Sequence, residues 1–326
     1  MKKTGLILLM LAAVGAWAQE PTTVASAATP DTTGSSPAVV QTSGNFPTVQ
    51  FATPTYADLY CAGFISKELV PNANYVAGGL HTPSTTKYAN GDVIYLSGQG
   101  YQPGAQYMIV RELQDRNERE MYAGQRSLVK AAGQPYAELG RVRVLDTRSK
   151  MAVAQVEFSC DSILPGDVAI PFAEKPKTNF HATAKFDRFA PSSGKLSGRI
   201  LLAKDFDAIL GTGMKVYLNV GSNQGVKVGD YFRATRSYMA DARDPVDSLS
   251  FAASIGEDTQ KKLPSYGHRL LERSSGPSIS VSDMPRRAVG EVVVIGVTPT
   301  TATGMITFAL EDVHIGDDVQ LDGDQQ

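Results

Sequence analysis

The feature that most constrains this chain is a β-rich unit that occurs twice. The run Leu139–Leu145 (Leu-Gly-Arg-Val-Arg-Val-Leu), continuing to Gly166-Asp167, lines up without a gap on Val289–Ile295 (Val-Gly-Glu-Val-Val-Val-Ile), continuing to Gly316-Asp317. In each copy 26 positions separate the leading glycine from the glycine of the Gly-Asp pair. Phe158 falls on Phe308, Asp161 on Glu311 and Ile163 on Val313. Upstream, Val93–Leu96 with Gly100 and Gly104 echoes Val216–Leu218 with Gly225, Gly229 and Asp230, after one short gap. A duplicated unit must fold in each of its contexts, so one copy serves as a control for the other.

Period two dominates both copies. Ala152, Ala154, Val156, Phe158 and Cys160 share one face of a strand, with Gln155, Glu157 and Ser159 on the other. The matching inward series in the second copy is Ala302, Gly304, Ile306, Phe308 and Leu310. Short strands punctuated by glycine turns predict a mainly β protein, with two tandem small β-barrel or β-sandwich modules. Short helices are expected only in the insertions, around 118–130 and 248–261. Strands are expected at 92–97, 106–111, 140–146, 151–160 and 167–171.

The N-terminus reads as a secretory signal peptide over 1–18: Lys2 and Lys3, an apolar stretch from Leu6 to Val14, then Ala16-Trp17-Ala18 as the cleavage site near Ala18. No segment has the length and apolarity of a membrane-spanning helix, so the chain is expected not to span a membrane. Residues 19–50 are rich in Thr, Ser, Pro and Ala, with too little apolar surface to offset the entropy of ordering. They are expected to form a disordered tether. A lead-in segment plus the first module would occupy 51–172, a linker 173–198, and the second module 199–326 with an insertion at 237–287. Without Lys2 and Lys3 the 31 basic residues become 29 against 33 acidic ones, a net charge of −4. No basic block stands out, which argues against a nucleic-acid partner. Export places the chain in the periplasm or outside the cell.

Two cysteines in an oxidising compartment predict a Cys61–Cys160 disulfide, with Cys160 on a core-facing position because Leu310 occupies the equivalent place. The Gly-Asp pairs Gly166-Asp167, Gly229-Asp230 and Gly316-Asp317, with Gly104 at the fourth equivalent position, read as structural turns. Glycine suits positive φ there and the carboxylate can accept backbone amide hydrogens. Arg111 and Arg236 end equivalent strands, which suggests a shared structural task such as a carboxylate contact. His81, His181, His268 and His314 are scattered without metal-ligand spacing, and no nucleophile elbow or completed phosphate-binding pattern occurs. No catalytic, cofactor or metal residue is therefore expected.

The segment from Leu218 to Phe232 (Leu-Asn-Val-Gly-Ser-Asn-Gln-Gly-Val-Lys-Val-Gly-Asp-Tyr-Phe), followed by Ala288–Ile295, resembles the C-terminal domain of flagellar assembly protein T and related bacterial envelope proteins. The likeness covers mainly residues 213–321, with a weaker second copy at 91–172. It implies a small, non-catalytic β-module of the periplasm. The lead-in and the duplication depart from that pattern. The expected function is a non-enzymatic, exported cell-envelope protein that binds or scaffolds a partner protein or peptidoglycan. The alternative is an envelope hydrolase acting on a glycan or peptide through a site not visible in the sequence.

Overall fold

The computed structural model describes residues 51–114, 120–176, 179–180, 186–237, 261–262, 265–266, 276–280 and 283–322. The expected signal peptide and tether, His181, His268 and most of the 237–287 insertion with its expected helix lie outside the described residues.

Helix α1 (Tyr56–Tyr60) and strand β1 (Phe64–Ser66) form the lead-in. The helix starts at Thr55, whose hydroxyl accepts from the Asp58 amide at 3.3 Å while the Asp58 carboxylate accepts from the Thr55 amide at 2.9 Å. This reciprocal cap satisfies two amide donors that a helix start would otherwise leave open. The first barrel comprises β2 (Tyr75–Gly79), β3 (Val93–Ser97), β4 (Gln106–Glu112), β5 (Gln134–Asp146), β6 (Ala152–Ser159) and β7 (Val168–Pro171). Helix α2 (Gln125–Ala132) stands between β4 and β5, inside the polar stretch expected to be helical. The strand order is β5-β4-β7-β2-β3-β6, closed by the β5–β6 pairing, and β1 adds to the outside of β5.

The second barrel uses β8 (Ser197–Ala203), β10 (Lys215–Leu218), β11 (Tyr231–Arg236), β14 (Arg287–Val297), β15 (Ala302–Ala309) and β17 (Asp318–Leu321). Of the remaining strands, β9 (Ile209–Leu210) pairs with β16 (Val313–His314), and β12 (Ser265–Tyr266) with β13 (Ser278–Ile279). Its closed order, β14-β11-β17-β8-β10-β15, matches the first ring strand for strand. The Tyr88–Ile163 bridge of the first barrel stands where β9 meets β16 in the second. Both barrels are thus six-stranded, with β2 and β8 as members of the rings.

Register shifts also correspond. The extra residues are Leu139, Leu145 and Glu157 in one barrel and Val289, Ile295 and Thr307 in the other, each pair 150 positions apart. Gly140 and Gly290 sit beside such bulges. A Cβ there would lie 2.3 Å from the Phe158 carbonyl oxygen in one barrel and 2.6 Å from the Phe308 carbonyl oxygen in the other, so no larger residue fits without backbone movement.

The bulges correct one expectation. Ala152, Ala154 and Val156 do face the first interior, packed with Leu96, Ile109, Val142 and Val144, as Ala302 and Ile306 face the second with Leu218, Phe232, Val292 and Val294. Beyond Glu157 and Thr307 the alternation slips. Phe158 packs outside its barrel with Tyr60 and Met108, and Phe308 stacks on Phe51 at a centroid distance of 4.9 Å. Cys160 follows β6 and is only half-buried, and Leu310 is 41 % exposed, so neither occupies a core position. Two residues opposing one at a bulge reset the inside–outside alternation that strict period two assumes.

Candidate functional site

The lead-in is a strap held between the two barrels. On one side β1 pairs antiparallel with the start of β5, Phe64 opposite Tyr136 and Ser66 opposite Gln134. On the other side the second barrel supplies side-chain donors in place of a strand. Thr303 Oγ1 donates to the Gly63 carbonyl at 2.9 Å, Thr301 Oγ1 to the Ile65 carbonyl at 2.8 Å and the Tyr217 hydroxyl to the Ala62 carbonyl at 3.0 Å. The strap's otherwise open edge is thereby satisfied. Burial, with the negative charges of Glu138 and Asp205, pushes the Tyr217 phenol well above its usual range, so it stays a neutral donor. Lys215 forms an ion pair with Asp58 on α1. Burial alone would raise the Asp58 carboxyl, but hydrogen bonds from Lys215 and Thr55 outweigh it and hold the group below its ordinary value of 3.8.

Each barrel offers the strap a different outer face. The first uses β4 and β7, where Met108, Val110, Val168 and Ile170 pack with Tyr60 and Phe64. The second uses β14 and β15, where Val293, Ile295 and Met305 pack with Ala62 and Leu59, and β8 and β10, where Leu201, Leu202 and Tyr217 pack with Ile65. The expected disulfide forms between Cys61 and Cys160, with an S–S distance of 2.07 Å, and ties the strap to the end of β6.

Beside the strap the two apolar faces line a cleft of about 630 Å³. Met108 and Ile170 form one wall, and Val226, Val228, Ile295 and Val297 the other. Its floor carries an ion pair. The Lys175 ammonium forms an ion pair with Glu138, 2.7 Å from Oε1 and donating to Oε2 at 2.8 Å, it donates to the Leu59 carbonyl at 2.6 Å, and it lies 5.6 Å from the Tyr60 ring centroid. Glu138 also accepts from the Gly63 amide at 3.1 Å. Glu138 is 7 % exposed and Lys175 22 %. This pair leaves the floor polar with its two charges neutralising one another, while exposed Glu174 and Lys227 also line the cleft. A second groove, about 860 Å³ along α2, differs in character: exposed Lys67, Arg126 and Lys130 face Glu112 there.

The turn residues identified in the sequence are not gathered at the cleft. Gly104, Gly166, Gly229 and Gly316 have φ of 82°, 95°, 96° and 99°. Asp167 accepts from the Leu164 amide and takes a two-pronged contact from Arg111 at 2.7 and 2.8 Å, while Asp317 accepts from the His314 amide and from Arg236 at 2.8 Å on both oxygens. Asp230 accepts from the Lys227 amide at 2.8 Å, closing the turn that carries Val228 into the cleft wall. Among the described residues no group of three or more His, Cys, Asp or Glu is placed to hold a metal ion. None of their helices is long and apolar enough to cross a membrane.

Sequence reasoning did not single out Glu138, Lys175, Tyr217, Thr301 or Thr303. A signal existed in the differences between the copies. Glu138 aligns with Ala288, while Arg143, Leu145 and Gln155 align with Val293, Ile295 and Met305, the face on which the strap docks. No protein-family model matches the chain, and no curated protein matches it.

Proposed function

We propose that this chain is a non-enzymatic binding or scaffolding protein of the bacterial cell envelope, built from a duplicated β-module, and that the cleft between its barrels receives a partner protein. The observation that carries this reading is the cleft of about 630 Å³, walled mainly by apolar side chains, with the Glu138–Lys175 pair at its floor and exposed Glu174 and Lys227 along it. Its size and its few fixed polar groups are those of a binding site. Two closed rings leave strand-edge pairing little scope, which favours the cleft over assembly by strand addition. The disulfide suits an oxidising compartment, and the signal-like N-terminus agrees with export to the periplasm or beyond. The likeness of the glycine turns at 213–321 to envelope β-modules belongs to the same reading. Peptidoglycan is the other candidate partner, and a cleft walled mainly by aliphatic side chains suits it less.

The test is site-specific photocrosslinking in cells. A photoreactive residue at Val228, on the cleft wall, is expected to give a discrete protein adduct, and one at Leu80, 59 % exposed on the first barrel, is not. Equal adducts at both positions would remove the cleft from the reading. Co-sedimentation with purified sacculi, with no adduct at Val228, would transfer the partner to peptidoglycan.

A further inference from the structure

The second groove, about 860 Å³, is lined by the residues just after β1, the end of β4, helix α2 and Leu202 of the second barrel. The helix is fixed in place. Gln125 donates from its side-chain amide to the Leu201 carbonyl at 3.1 Å and accepts from the Met121 amide at 2.8 Å, while Leu128, Val129 and Ala132 pack with Ile65, Leu202 and Tyr217. Leu113, Val129, Pro135 and Leu202 give the groove an apolar floor. Leu69 stands with them at 71 % exposure, the most exposed large apolar side chain among the described residues. The Leu113 and Pro135 carbonyls are occupied, each accepting from the Gln134 side-chain amide, at 2.6 and 3.0 Å.

Three cations, Lys67, Arg126 and Lys130, stand there against one carboxylate, Glu112, in a chain with 33 acidic residues to 31 basic ones. Among the described residues Lys67 and Lys130 have no carboxylate partner, whereas Arg199, Arg233, Arg236 and Arg287 of the second barrel are each paired. The cations follow one another instead of converging. Arg126 and Lys130 are one helical turn apart, about 6 Å along the axis. Lys67 extends the row past the helix, its amide nitrogen 2.6 Å from where a Cβ on Gly133 would lie. A phosphate is held by donors gathered on one centre, whereas alternate side chains of an extended chain repeat at about 6.6 Å. From this we infer that the groove takes an acidic segment of a partner polypeptide, with alternate carboxylates set along the three cations and the side chains between them turned to the apolar floor. The groove shares no lining residue with the cleft beside the strap, so the inference goes beyond the proposed function and does not depend on it.

The experiment uses the full chain and fluorescence polarisation with labelled, end-capped octapeptides. One alternates Glu and Ala around a central Leu, and two others carry Gln or Lys in place of Glu. The Glu peptide is expected to saturate, with the Gln and Lys peptides at least about tenfold weaker. Lys67→Ala combined with Lys130→Ala should weaken the Glu peptide by a similar factor. Lys150→Ala combined with Lys195→Ala, two exposed lysines outside the groove, should leave it unchanged. Circular dichroism and melting curves establish that both double variants fold. Raising the salt from about 0.05 to 0.5 M should weaken the Glu peptide severalfold, because exposed charges are screened. Equal binding of the Gln peptide would overturn the charge argument. Equal losses in the two double variants would reduce the attraction to a general one and overturn the site. Saturation by phosphatidylglycerol vesicles or inorganic phosphate, with no peptide binding, would overturn the polypeptide class. No binding by any probe would overturn the inference altogether. Crosslinking at Val228 judges the cleft separately, whichever of these results is found.

Discussion

Asp167 and Asp317 carry the same pair of tasks in the two barrels, accepting an amide hydrogen three residues back and fixing an arginine from the neighbouring strand. Each arginine then reaches past the carboxylate to a carbonyl, Ser162 for Arg111 and Asp312 for Arg236, so the turn, β4 or β11 and the segment just before the turn are joined at one point. Burial differs between the copies. Arg111 is 28 % exposed and Arg236 8 %. Removing one charge of a buried pair leaves the other desolvated, so Asp317→Asn is expected to lower unfolding stability by roughly 3–5 kcal/mol, with Asp167→Asn costing less because water reaches Arg111. Asp230→Asn removes a carboxylate bound to one amide in a half-buried turn and should cost under about 1 kcal/mol. Urea titration of the three variants checks the ranking, and equal losses for Asp317 and Asp230 would contradict it. The turn role of these residues was legible from glycine followed by aspartate. The arginine partners were legible only as a retained pair, because the contact spans 56 positions in one barrel and 81 in the other.

At the scale of elements, the strap and its fastening decide the joint between the barrels. The disulfide closes a separation of 99 residues, and the chain-entropy estimate for such a loop is about 4–5 kcal/mol. A Cys61→Ser, Cys160→Ala variant should lose up to that amount in denaturant unfolding, and proteolysis should find the strap at 51–66 before it cuts either barrel. Survival of the strap with both cysteines removed would show that its hydrogen bonds to Thr301, Thr303 and Tyr217 suffice. The Asp58–Lys215 contact adds a pH dependence. With the folded carboxyl held below 3.8, its contribution is present above that value and disappears as the pH falls through the lower, folded one. Acidification from pH 5 to 2 should therefore cost the native chain more than Asp58→Asn, and the two stability curves should converge at the acid end. Strand identities in these elements were readable from alternation, and the closed, mainly β architecture followed from short strands and glycine turns. The bulges were not readable, because an inserted residue leaves no mark in composition; this is why Phe158, Cys160, Phe308 and Leu310 were assigned to interiors they do not occupy. Glu138 and Lys175, 37 positions apart, meet only because β5 and the segment after β7 flank the same wall.

For the whole molecule, the two barrels match in strand order but not in the face they present to the strap. The first docks through β4 and β7, and at the equivalent positions the second has Arg233, Thr235, Asp318 and Gln320, with Arg233 paired to Asp322 and Arg199 to Asp318. The second docks through β14 and β15, where the first has Arg143, Leu145 and Gln155, Arg143 paired to Glu157, and also through β8 and β10, where Leu201, Leu202 and Tyr217 pack with Ile65. A head-to-tail contact of this kind could propagate along a row of modules if every module kept both apolar faces. Here each barrel keeps one and makes the other polar, so the arrangement ends at two. That asymmetry supplies a test in which folding and docking separate. Val293→Arg with Met305→Gln gives the second barrel the residues that the first carries at the same positions, and both face outward, so the ring itself should close as the first ring does. The strap, however, would meet an arginine beside Ala62 and Leu59 and keep only the apolar contact of Ile65 with Leu201, Leu202 and Tyr217 on the second barrel. Residues 48–326 form one compact unit, so the native chain is expected to melt in a single transition. The double variant should melt in two, one per barrel, with unchanged circular dichroism at low temperature and a strap open to protease. A single transition with a protected strap would mean that the hydrogen bonds to the strap carbonyls, together with the Ile65 contacts on β8 and β10, suffice to hold the barrels together without the β14 and β15 face.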